Sequence, residues 1–383
     1  MTQTYRHKKN YIVNCRQLKK LKSRKKIIIT PLDWGLGHAS RCIPIINALM
    51  DLGIEIYMAG SGRSGLLLQK EFPQLAYKEL PWPNIKYHNN GRFEWAIARQ
   101  TPKIIAAIKQ ENKIINDYIK QHKIDGIISD NRYGCWSAHI PSVIISHQLK
   151  LLMPTYLMPL EIILNKLSYN YIRKFSNVWI PDETEPNDLS GILSKPHWLH
   201  KLNNVERIGL LSRCYPIDLP KKYELAIILS GQEPQRTLLE QKLMKQVALL
   251  PDSYNCILVR GITEGSDQPL LTDKITSYDY LTTTALNEVL NQSEIIIARS
   301  GYSTIMDLIK LSKKALLVPT PGQTEQEYLA NYLSKKKIFH TVEQDKINLK
   351  SDLDLLCNAT QPLLYTAYST DLSLHIKSFI ASL

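Results

Sequence analysis

Cysteine is scarce and widely spaced in this sequence. Six cysteines occur among 383 residues, and no two of them form a Cys-x-x-Cys pair. Disulfide-stabilised domains and structural zinc sites both need cysteines at close, regular spacing. We therefore expect neither a disulfide framework nor a metal site, and this usage fits a reducing compartment.

Long apolar runs are also missing. No segment reaches the roughly 18 consecutive apolar residues at which a membrane-spanning helix becomes a candidate. The amino-terminal segment has no apolar core of the signal-peptide type. We expect a cytoplasmic protein without a membrane span.

The composition is that of a folded, globular chain. Hydrophobic residues make up 44% of the sequence and charged residues 22%, and the 16 glycines and 20 prolines are spread along the chain. Such proportions exclude collagen-like, low-complexity and mostly disordered chains. At roughly 150 residues per domain, the length predicts two domains with ordinary buried cores.

The positive charge is concentrated at the amino terminus. The formal net charge is +13, but residues 1–26 alone hold ten Lys or Arg residues and no Asp or Glu. The remainder carries 38 basic and 35 acidic residues and is close to neutral. We expect this basic tail, residues 1–26, to be unstructured. Clustered cations can bind anionic membranes or RNA; the near-neutral body argues against nucleic acid and leaves peripheral membrane contact open.

The hydrophobic pattern predicts alternating strands and helices. Residues 27–30 form a β-branched run, a glycine-bearing loop follows, and apolar residues then recur at helical spacing up to Met50. A strand at 54–59 completes a βαβ unit, the building block of a parallel sheet. Further short apolar runs predict strands at 126–129, 142–146, 225–229, 256–259, 294–297 and 315–318.

The strand pattern begins again at residue 225, which predicts two α/β domains. We place the first Rossmann-like, doubly wound domain at 27–212 and the second at 213–365. We expect a carboxyl-terminal helix at 366–383 that packs back on the first domain. Two such domains facing each other leave a cleft between the carboxyl ends of their strands, where a nucleotide and a second substrate would bind.

The first candidate site is the loop that contains Gly35, Gly37 and His38. It lacks the Gly-Lys-Ser/Thr ending of a Walker loop, and Ser40 occupies the third glycine position of a dinucleotide fingerprint. These departures disfavour ATPase and dinucleotide-binding functions. His38 is a candidate general base near neutral pH, and Arg41 in the next turn can contact an anion. A lone histidine can equally be structural.

Polar residues follow two further predicted strands of the first domain, where doubly wound sheets place their ligands. They are Asp130, Asn131, Arg132, His147 and Gln148. We expect these residues to face the acceptor, and Asp130 is a second candidate for the general base.

The strongest local signal in the second domain is the segment Arg299–Asp307, directly after a predicted strand. Gly301 allows close approach of the backbone, and the following helix offers free N–H groups to a diphosphate. Asp307 is placed to take both hydroxyls of a ribose. The same pattern also fits a plain helix cap followed by a solvated acid. Ser230 and Gly231 follow the predicted strand at 225–229 and are candidates for the same donor site. The candidate donor-binding residues are therefore Ser230, Gly231, Arg299, Ser300, Gly301, Thr304 and Asp307.

A second strand end, at Pro319–Asn331, carries amides and carboxylates at the start of a helix. Acidic groups in that position can simply complement the helix dipole. Planar amides and carboxylates also form paired hydrogen bonds with vicinal sugar hydroxyls. Gln323, Glu325 and Gln326 are therefore candidate sugar ligands.

These segments together resemble the GT-B glycosyltransferases of family 28, the family that includes the N-acetylglucosaminyltransferase of lipid II synthesis. Arg299–Asp307 is similar to the family's Arg-Ser-Gly-x-x-Thr-x-x-Glu, with Asp307 in place of the glutamate that holds the uridine ribose. Gln326 and Glu327 stand where the family has two glutamines. His38 resembles the loop histidine that faces the acceptor in that family.

A group of predicted bacterial glycosyltransferases is similar over residues 27–340. Its shared segments are GLGHxxR, SDNRYG, HQL, LSR and PGQxEQ, here at 35–41, 129–134, 147–149, 211–213 and 321–326. The set is specific, although each segment alone is weak.

The resemblance implies a GT-B fold and an inverting, metal-independent transfer. A hexose or N-acetylhexosamine would move from a nucleotide-sugar, with uridine as the expected base, to a glycan or lipid-linked acceptor. The second domain would hold the donor, and the first would hold the acceptor. No cofactor is expected beyond the nucleotide-sugar substrate, and the expected location is the cytoplasm or the inner face of its membrane.

Three other functions stay open. The Gly-x-Gly-His loop also occurs in a GT-B-like UDP-sugar hydrolase, where the histidine activates water, and a GT-B epimerase is a further enzyme alternative. From a different class, the chain is compatible with a non-catalytic nucleotide-sugar- or RNA-binding protein with a basic arm. The apolar and basic segment 148–181 fits either core helices or a surface that rests on a bilayer.

Overall fold

The computed structural model describes residues 24–81, 93–202, 204–263, 270–271, 274–358 and 371–383. Residues 1–23 of the predicted basic tail lie outside these ranges. Lys26, which was assigned to the tail, instead begins the first strand, and its backbone N–H donates to Asp125 Oδ2 at 2.8 Å.

The first domain is built on seven strands. They are β1 (Lys26–Pro31), β2 (Glu55–Gly60), β3 (Ala76–Glu79), β4 (Gly126–Asp130), β5 (Ser142–Ile145), β6 (Asn177–Ile180) and β7 (Val205–Arg207). They form one sheet of order β3-β2-β1-β4-β5-β6-β7, and every neighbouring pair is parallel. Ile27, Ile28 and Ile29 of the central strand are fully buried, as expected for a parallel sheet covered on both faces.

Helices connect these strands and cover the sheet. They are α1 (Leu36–Asp51), α2 (Gly62–Glu71), α3 (Phe93–His122) and α4 (Met158–Ile172). Short 3-10 helices lie at Thr155–Leu157, Gly191–Ser194 and Leu199–Lys201.

The second domain repeats the same plan. Its strands are β8 (Tyr223–Ile228), β9 (Cys256–Val259), β10 (Leu270–Leu271), β11 (Ile275–Tyr278), β12 (Ser293–Ala298), β13 (Lys314–Leu317) and β14 (His340–Thr341). The sheet order is β10-β11-β9-β8-β12-β13-β14, and only the β10–β11 pair is antiparallel. β8 lies between β9 and β12 as β1 lies between β2 and β4.

The remaining helices follow the second set of strands. They are α5 (Gln235–Val247), α6 (Thr283–Gln292), α7 (Tyr302–Lys310), α8 (Thr324–Lys335), α9 (Leu349–Asn358) and α10 (Leu372–Ala381), with a 3-10 helix at Gln344–Lys346. Within the described ranges, no helix is both long and apolar enough to span a bilayer.

The fold class predicted from the sequence is confirmed. Each of the eight predicted strands is present within two residues of its expected bounds. The strands that the pattern missed are mostly short or polar segments, such as β3 with Ala-Tyr-Lys-Glu and β7 with Val-Glu-Arg. Such segments become strands because a neighbouring strand offers unpaired backbone groups, a signal that local sequence does not carry.

The carboxyl-terminal helix α10 follows the second domain in the chain but packs on the first. The ring of Phe379 meets Trp179 of β6 edge to face, with centroids 5.9 Å apart. A Cβ on Gly126 of β4 would lie 3.0 Å from the Phe379 ring, so the absence of a side chain there makes room for the helix.

Candidate active site

A cavity of about 460 Å³ lies between the two domains, at the carboxyl ends of β1, β4, β8 and β12. In each sheet this is the point where the strand order changes direction, the position at which doubly wound sheets bind ligands. Residues of both domains line the cavity. Neither domain alone therefore forms the site.

Two glycines shape the loop between β1 and α1. Gly35 precedes α1 with a φ of 120°, a value that residues with a side chain rarely adopt. Ser303 Oγ of α7 donates to the carbonyl of Gly37 at 2.9 Å. A Cβ on Gly37 would lie only 2.9 Å from that hydroxyl oxygen. The glycine loop therefore brings the start of α1 against the start of α7.

His38, in the first turn of α1, forms a polar cluster with the end of β4. Its Nδ1 lies 2.7 Å from Asp130 Oδ1. Arg41 donates to both oxygens of the same carboxylate, at 2.9 and 2.6 Å. Burial of Asp130 opposes its ionisation, but Arg41 and His38 outweigh this effect and lower the pKa of the carboxyl to about 2.

The ionised carboxylate fixes the tautomer of His38. Nδ1 of His38 has two neighbours, Asp130 Oδ1 at 2.7 Å, which only accepts, and Arg41 Nη2 at 2.8 Å, which only donates. Nη2 already donates to Asp130 Oδ1 at its shorter distance of 2.6 Å. We therefore place the His38 proton on Nδ1, facing the carboxylate, and the lone pair on Nε2. His38 lines the cavity, whereas Asp130 does not. This arrangement is typical of a general base with an orienting carboxylate.

A second histidine extends the cluster to the other domain. Nδ1 of His147, after β5, lies 3.2 Å from Arg41, and Nε2 lies 2.8 Å from Oε1 of Glu325 on α8. The ring of His147 stacks on Tyr302 of α7, with centroids 4.1 Å apart. Burial lowers the pKa of His147. Burial opposes the ionisation of Glu325, but His147 and Arg41 lower its pKa.

The second domain contributes the starts of two helices to the cavity. Neither α7 nor α8 has a side-chain hydrogen bond that caps its first N–H groups. Gly301 and Thr304 line the cavity at the start of α7. Uncapped helix N-termini carry partial positive charge and bind phosphate oxygens.

Arg213, between the two domains, adds a positive charge beside α7. Its Nε lies 3.8 Å from Asp307 Oδ2, and its Nε and Nη1 are buried without a hydrogen-bond partner. A buried guanidinium with unused donors is costly unless an anion satisfies it. The Leu-Ser-Arg motif contained this residue, but the sequence pattern gave it no role.

Asp307 lines the cavity but is held by the segment between the domains. Ser212 Oγ donates to its Oδ1 at 2.7 Å. Burial raises the pKa of Asp307 above its ordinary value of 3.8, and Arg213 opposes this shift. The carboxylate joins α7 to the interdomain segment, and its assignment to a ribose stays a prediction.

Three other predicted residues do not line the cavity. Arg299 is buried and donates to three backbone carbonyls and one side-chain amide, and burial lowers the pKa of its guanidinium to about 10. Ser300 Oγ donates to the carbonyl of Gln326 at 2.9 Å. Arg132 is buried in an ion pair with Glu111. Contrary to their expected ligand roles, these side chains hold the surrounding loops.

The other predicted site residues meet at the cavity. They are Gly35, Gly37, His38, Arg41, Asn131, His147 and Gln148 of the first domain, and Ser230, Gly231, Gly301, Thr304, Asp307, Gln323, Glu325 and Gln326 of the second.

Apolar side chains of α3 and α4 line the cavity on the side of the first domain. They were not predicted as site residues, although apolar residues at helical spacing are visible in both segments. They are Ile104, Ile105, Ile108, Leu164, Leu167 and Tyr171. The outer face of α4 exposes further apolar residues, Met158, Ile162 and Ile163.

The two domains also contact each other beside the cavity. Asp188 of the first domain is buried and accepts hydrogen bonds from Tyr332 of α8 at 3.1 Å and from Lys336, the residue after α8, at 2.9 Å. The hydroxyl of Tyr302 donates to the carbonyl of Pro181 at 2.9 Å. Over the part of the chain that the structure describes, no group of three or more His, Cys, Asp or Glu residues is arranged to hold a metal ion.

Comparison with known proteins agrees with this arrangement. Residues 232–368 match the Glycosyltransferase family 28 C-terminal domain. An uncharacterized glycosyltransferase of Methanosarcina mazei is 24% identical over 325 residues, which cover 79% of this chain and 81% of that protein.

Solved structures of low sequence identity share the fold. MurG of Acinetobacter baumannii is 13% identical with a TM-score of 0.55, and the match covers 94% of this chain and all of that one. The spinosyn rhamnosyltransferase SpnG in complex with thymidine diphosphate is 11% identical with a TM-score of 0.57, over 93% of this chain and 96% of that one. The two facing Rossmann-like domains and these similarities show a glycosyltransferase of GT-B fold, and its second domain is similar to the carboxyl-terminal domain of family 28.

Proposed function

We propose that this glycosyltransferase moves a hexose or N-acetylhexosamine from a UDP-sugar to an acceptor hydroxyl, with inversion at the anomeric carbon. One observation carries the proposal. One cavity is lined by an oriented histidine of the first domain, by two uncapped helix starts of the second domain and by a guanidinium with unused donors. A base and an anion site within one cavity are what a direct displacement needs.

His38 is the proposed general base. Its Nε2 takes the proton of the acceptor hydroxyl as the oxygen attacks the anomeric carbon, and the bond from that carbon to the diphosphate oxygen breaks. Asp130 holds the ring and stabilises the imidazolium that forms. The buried carboxylate is a positioning residue, because it does not line the cavity and acts through His38 and Arg41, which do.

The donor's diphosphate is proposed to lie beside Gly301, Thr304 and Arg213. The helix start supplies N–H groups, and Arg213 supplies donors that have no hydrogen-bond partner in the described protein. These groups balance the charge that develops on the departing diphosphate. Gln323 and Gln326 line the same side and are proposed to bind the sugar.

The acceptor is proposed to carry an apolar group next to its reactive hydroxyl. The apolar wall of α3 and α4 lines the cavity that contains His38. Water alone gains nothing from such a wall, which favours transfer over hydrolysis. The exposed apolar side chains on the outer face of α4 fit delivery of that acceptor from an anionic membrane surface.

The test is a binding screen with UDP, thymidine diphosphate and GDP, by thermal shift and calorimetry. UDP is expected to raise the melting temperature of the wild type. Arg213→Gln should weaken UDP binding about tenfold or more, because a charge-assisted hydrogen bond is lost. Arg260→Gln is the control, since Arg260 pairs with Glu240 and Asp279 and does not line the cavity.

His38→Gln separates binding from catalysis. UDP affinity should stay within about twofold, whereas release of UDP from a bound UDP-sugar should fall by on the order of 10² or more. A wild type that binds none of the three nucleotides would show the proposal to be wrong. Unchanged turnover in His38→Gln would remove His38 as the base.

A further inference from the structure

We propose that Glu325 of the donor domain is a positioning residue that completes the catalytic base on the acceptor domain when the two domains close. The inference rests on the proposed function and adds a role for a residue that the sequence pattern assigned to the sugar. Its basis is a continuous set of hydrogen bonds from Glu325 to His38.

Each hydrogen bond in this set has a defined direction. The guanidinium of Arg41 only donates, so Nδ1 of His147 accepts from it at 3.2 Å. Nε2 of His147 then carries the proton and donates to Glu325 at 2.8 Å. Arg41 Nη2 lies 2.8 Å from His38 Nδ1 but donates to Asp130 Oδ1 at the shorter distance of 2.6 Å. The Asp130 carboxylate accepts from His38 at 2.7 Å. Glu325 and His38 are thus the two ends of one oriented network.

The charges of the network favour a proton on His38. With both histidines neutral, the carboxylates of Glu325 and Asp130 face one guanidinium, that of Arg41. The net charge of −1 becomes zero when His38 takes up the acceptor's proton. Other titratable groups that face the cluster do not change this balance: the thiol of Cys42 and the phenol of Tyr302 have pKa values raised well above their ordinary range by burial, so both are neutral.

Glu325 is the member of this set that comes from the second domain. His38, Arg41, Asp130 and His147 all belong to the first, so the second negative charge arrives only when α8 lies against the first domain. The same turn of α8 carries Gln326, a proposed sugar ligand. His38 therefore has the charge of Glu325 in its network only when the donor domain lies against the first domain. This limits activation of water by His38 while the domains are apart.

The chain contains a matched control pair. His375 of α10 lies 2.6 Å from Glu206 of β7, a second His–Glu contact that is part-buried and does not line the cavity. Glu325→Gln and Glu206→Gln each remove one carboxylate charge from a His–Glu pair. Only the first is expected to affect the cluster around His38.

The first readout needs no substrate. Histidine side chains of the full-length, ligand-free protein are followed by ¹⁵N NMR between pH 5 and pH 9, with His38→Gln for assignment. Loss of the Glu325 charge from the network should change the ¹⁵N resonances of the His38 ring in Glu325→Gln, whereas Glu206→Gln should match the wild type. Resonances of His38 that are the same in all three proteins would overturn the inference.

The second readout is UDP release from UDP-glucose and UDP-N-acetylglucosamine as a function of pH. Glu325→Gln should lower kcat about tenfold, move the acid limb to lower pH, and leave the affinity for UDP unchanged. Glu325→Asp, which keeps the charge, should recover the acid limb. A rise in KM alone would make Glu325 a sugar ligand and contradict the inference. If the wild type neither binds UDP nor turns over either sugar, the proposed function fails, while the NMR result still decides the role of Glu325.

Discussion

At the scale of single residues, Asp130 is both a buried charge that needs partners and, in the proposed mechanism, the group that orients His38. A fully buried carboxylate is costly unless it is paired, and here Arg41 and His38 supply three hydrogen bonds to its two oxygens. The same contacts that stabilise the charge orient the imidazole toward the cavity. In the proposed mechanism, stability and catalysis therefore depend on one side chain.

Asp130→Asn should change the dependence of stability on pH. The pKa of Asp130 is lowered from 3.8 to about 2 in the folded protein, so its contribution is present above pH 4 and is lost as the pH falls toward 2. We expect roughly 2 kcal/mol of unfolding free energy to be lost over this range in the wild type beyond any loss in Asp130→Asn. Urea unfolding at pH 5, 4, 3 and 2 measures the difference. Parallel curves for the two proteins would contradict the assignment.

Asp307→Asn should change the dependence of stability on pH in the opposite direction. Burial raises the pKa of Asp307, so the folded state favours its neutral form, and the stabilisation present below pH 3.8 is lost as the pH rises through the raised value. The amide stays neutral throughout. The variant should therefore gain stability relative to the wild type between pH 4 and pH 7, measured by urea unfolding. A gain in stability together with a loss of UDP affinity would support the ribose assignment, whereas unchanged affinity would limit Asp307 to the interdomain contact.

At the scale of secondary-structure elements, the site is built from helix starts. α1 begins at the glycine loop and α7 begins opposite it, and the hydrogen bond between Ser303 and Gly37 joins them. Each helix directs free N–H groups toward the region between the domains. Their close approach depends on the small size of Gly37.

Gly37→Ala tests that close approach. The new Cβ would lie 2.9 Å from Ser303 Oγ. Either Ser303 rotates and loses its hydrogen bond to Gly37 or the start of α7 shifts, at a cost of about 1–3 kcal/mol. Adding Ser303→Ala removes the clashing oxygen, and the double variant should lose less than the sum of the single losses. Thermal and urea unfolding give the three values.

Gly301→Ala provides the matched control for this cycle. Gly301 precedes α7, and no atom lies within 4 Å of a Cβ built there. Its substitution should change stability by no more than about 0.5 kcal/mol. Strict additivity of Gly37→Ala and Ser303→Ala would mean that the two helix starts are not coupled.

At the scale of the whole molecule, the chain crosses between the domains more than once. The segment 208–222 leads from β7 to β8, and α10 returns to the first domain after the second is complete. Asp188 with Tyr332 and Lys336 adds a buried contact beside the cavity. The first domain therefore depends on residues at the far end of the sequence.

Phe379→Ala should show this dependence. Phe379 is 4% exposed and packs on Trp179, and removal of a buried phenyl group costs about 3–5 kcal/mol. Leu374→Ala on the same helix is the control, because Leu374 is 64% exposed. We expect urea unfolding of the Phe379 variant to begin at lower denaturant, and the control to match the wild type. Equal behaviour of the two variants would mean that α10 does not support the first domain.

Much of the fold was predictable because the central strands have a clear sequence pattern. Ile27–Ile29 and Ile295–Ile297 are β-branched runs buried on both faces, so composition and position agree. β3 and β7 were missed because their strand character depends on pairing with a neighbour. Arg299 was misplaced for a similar reason: a loop arginine after a strand looks like an anion ligand, and only packing shows that its donors are used by backbone carbonyls.

The sequence by itself determined the two repeated α/β units and the loops at which a ligand would bind, because these follow from hydrophobic period and glycine position. Tertiary structure alone decided which side chains share a cavity. His38, Asp130 and His147 are far apart in the chain, and they meet because β1, β4 and β5 end at the same edge of one sheet. Glu325 joins them across the domain boundary. Such contacts depend on how two domains close on each other, which is a property of packing and not of local pattern.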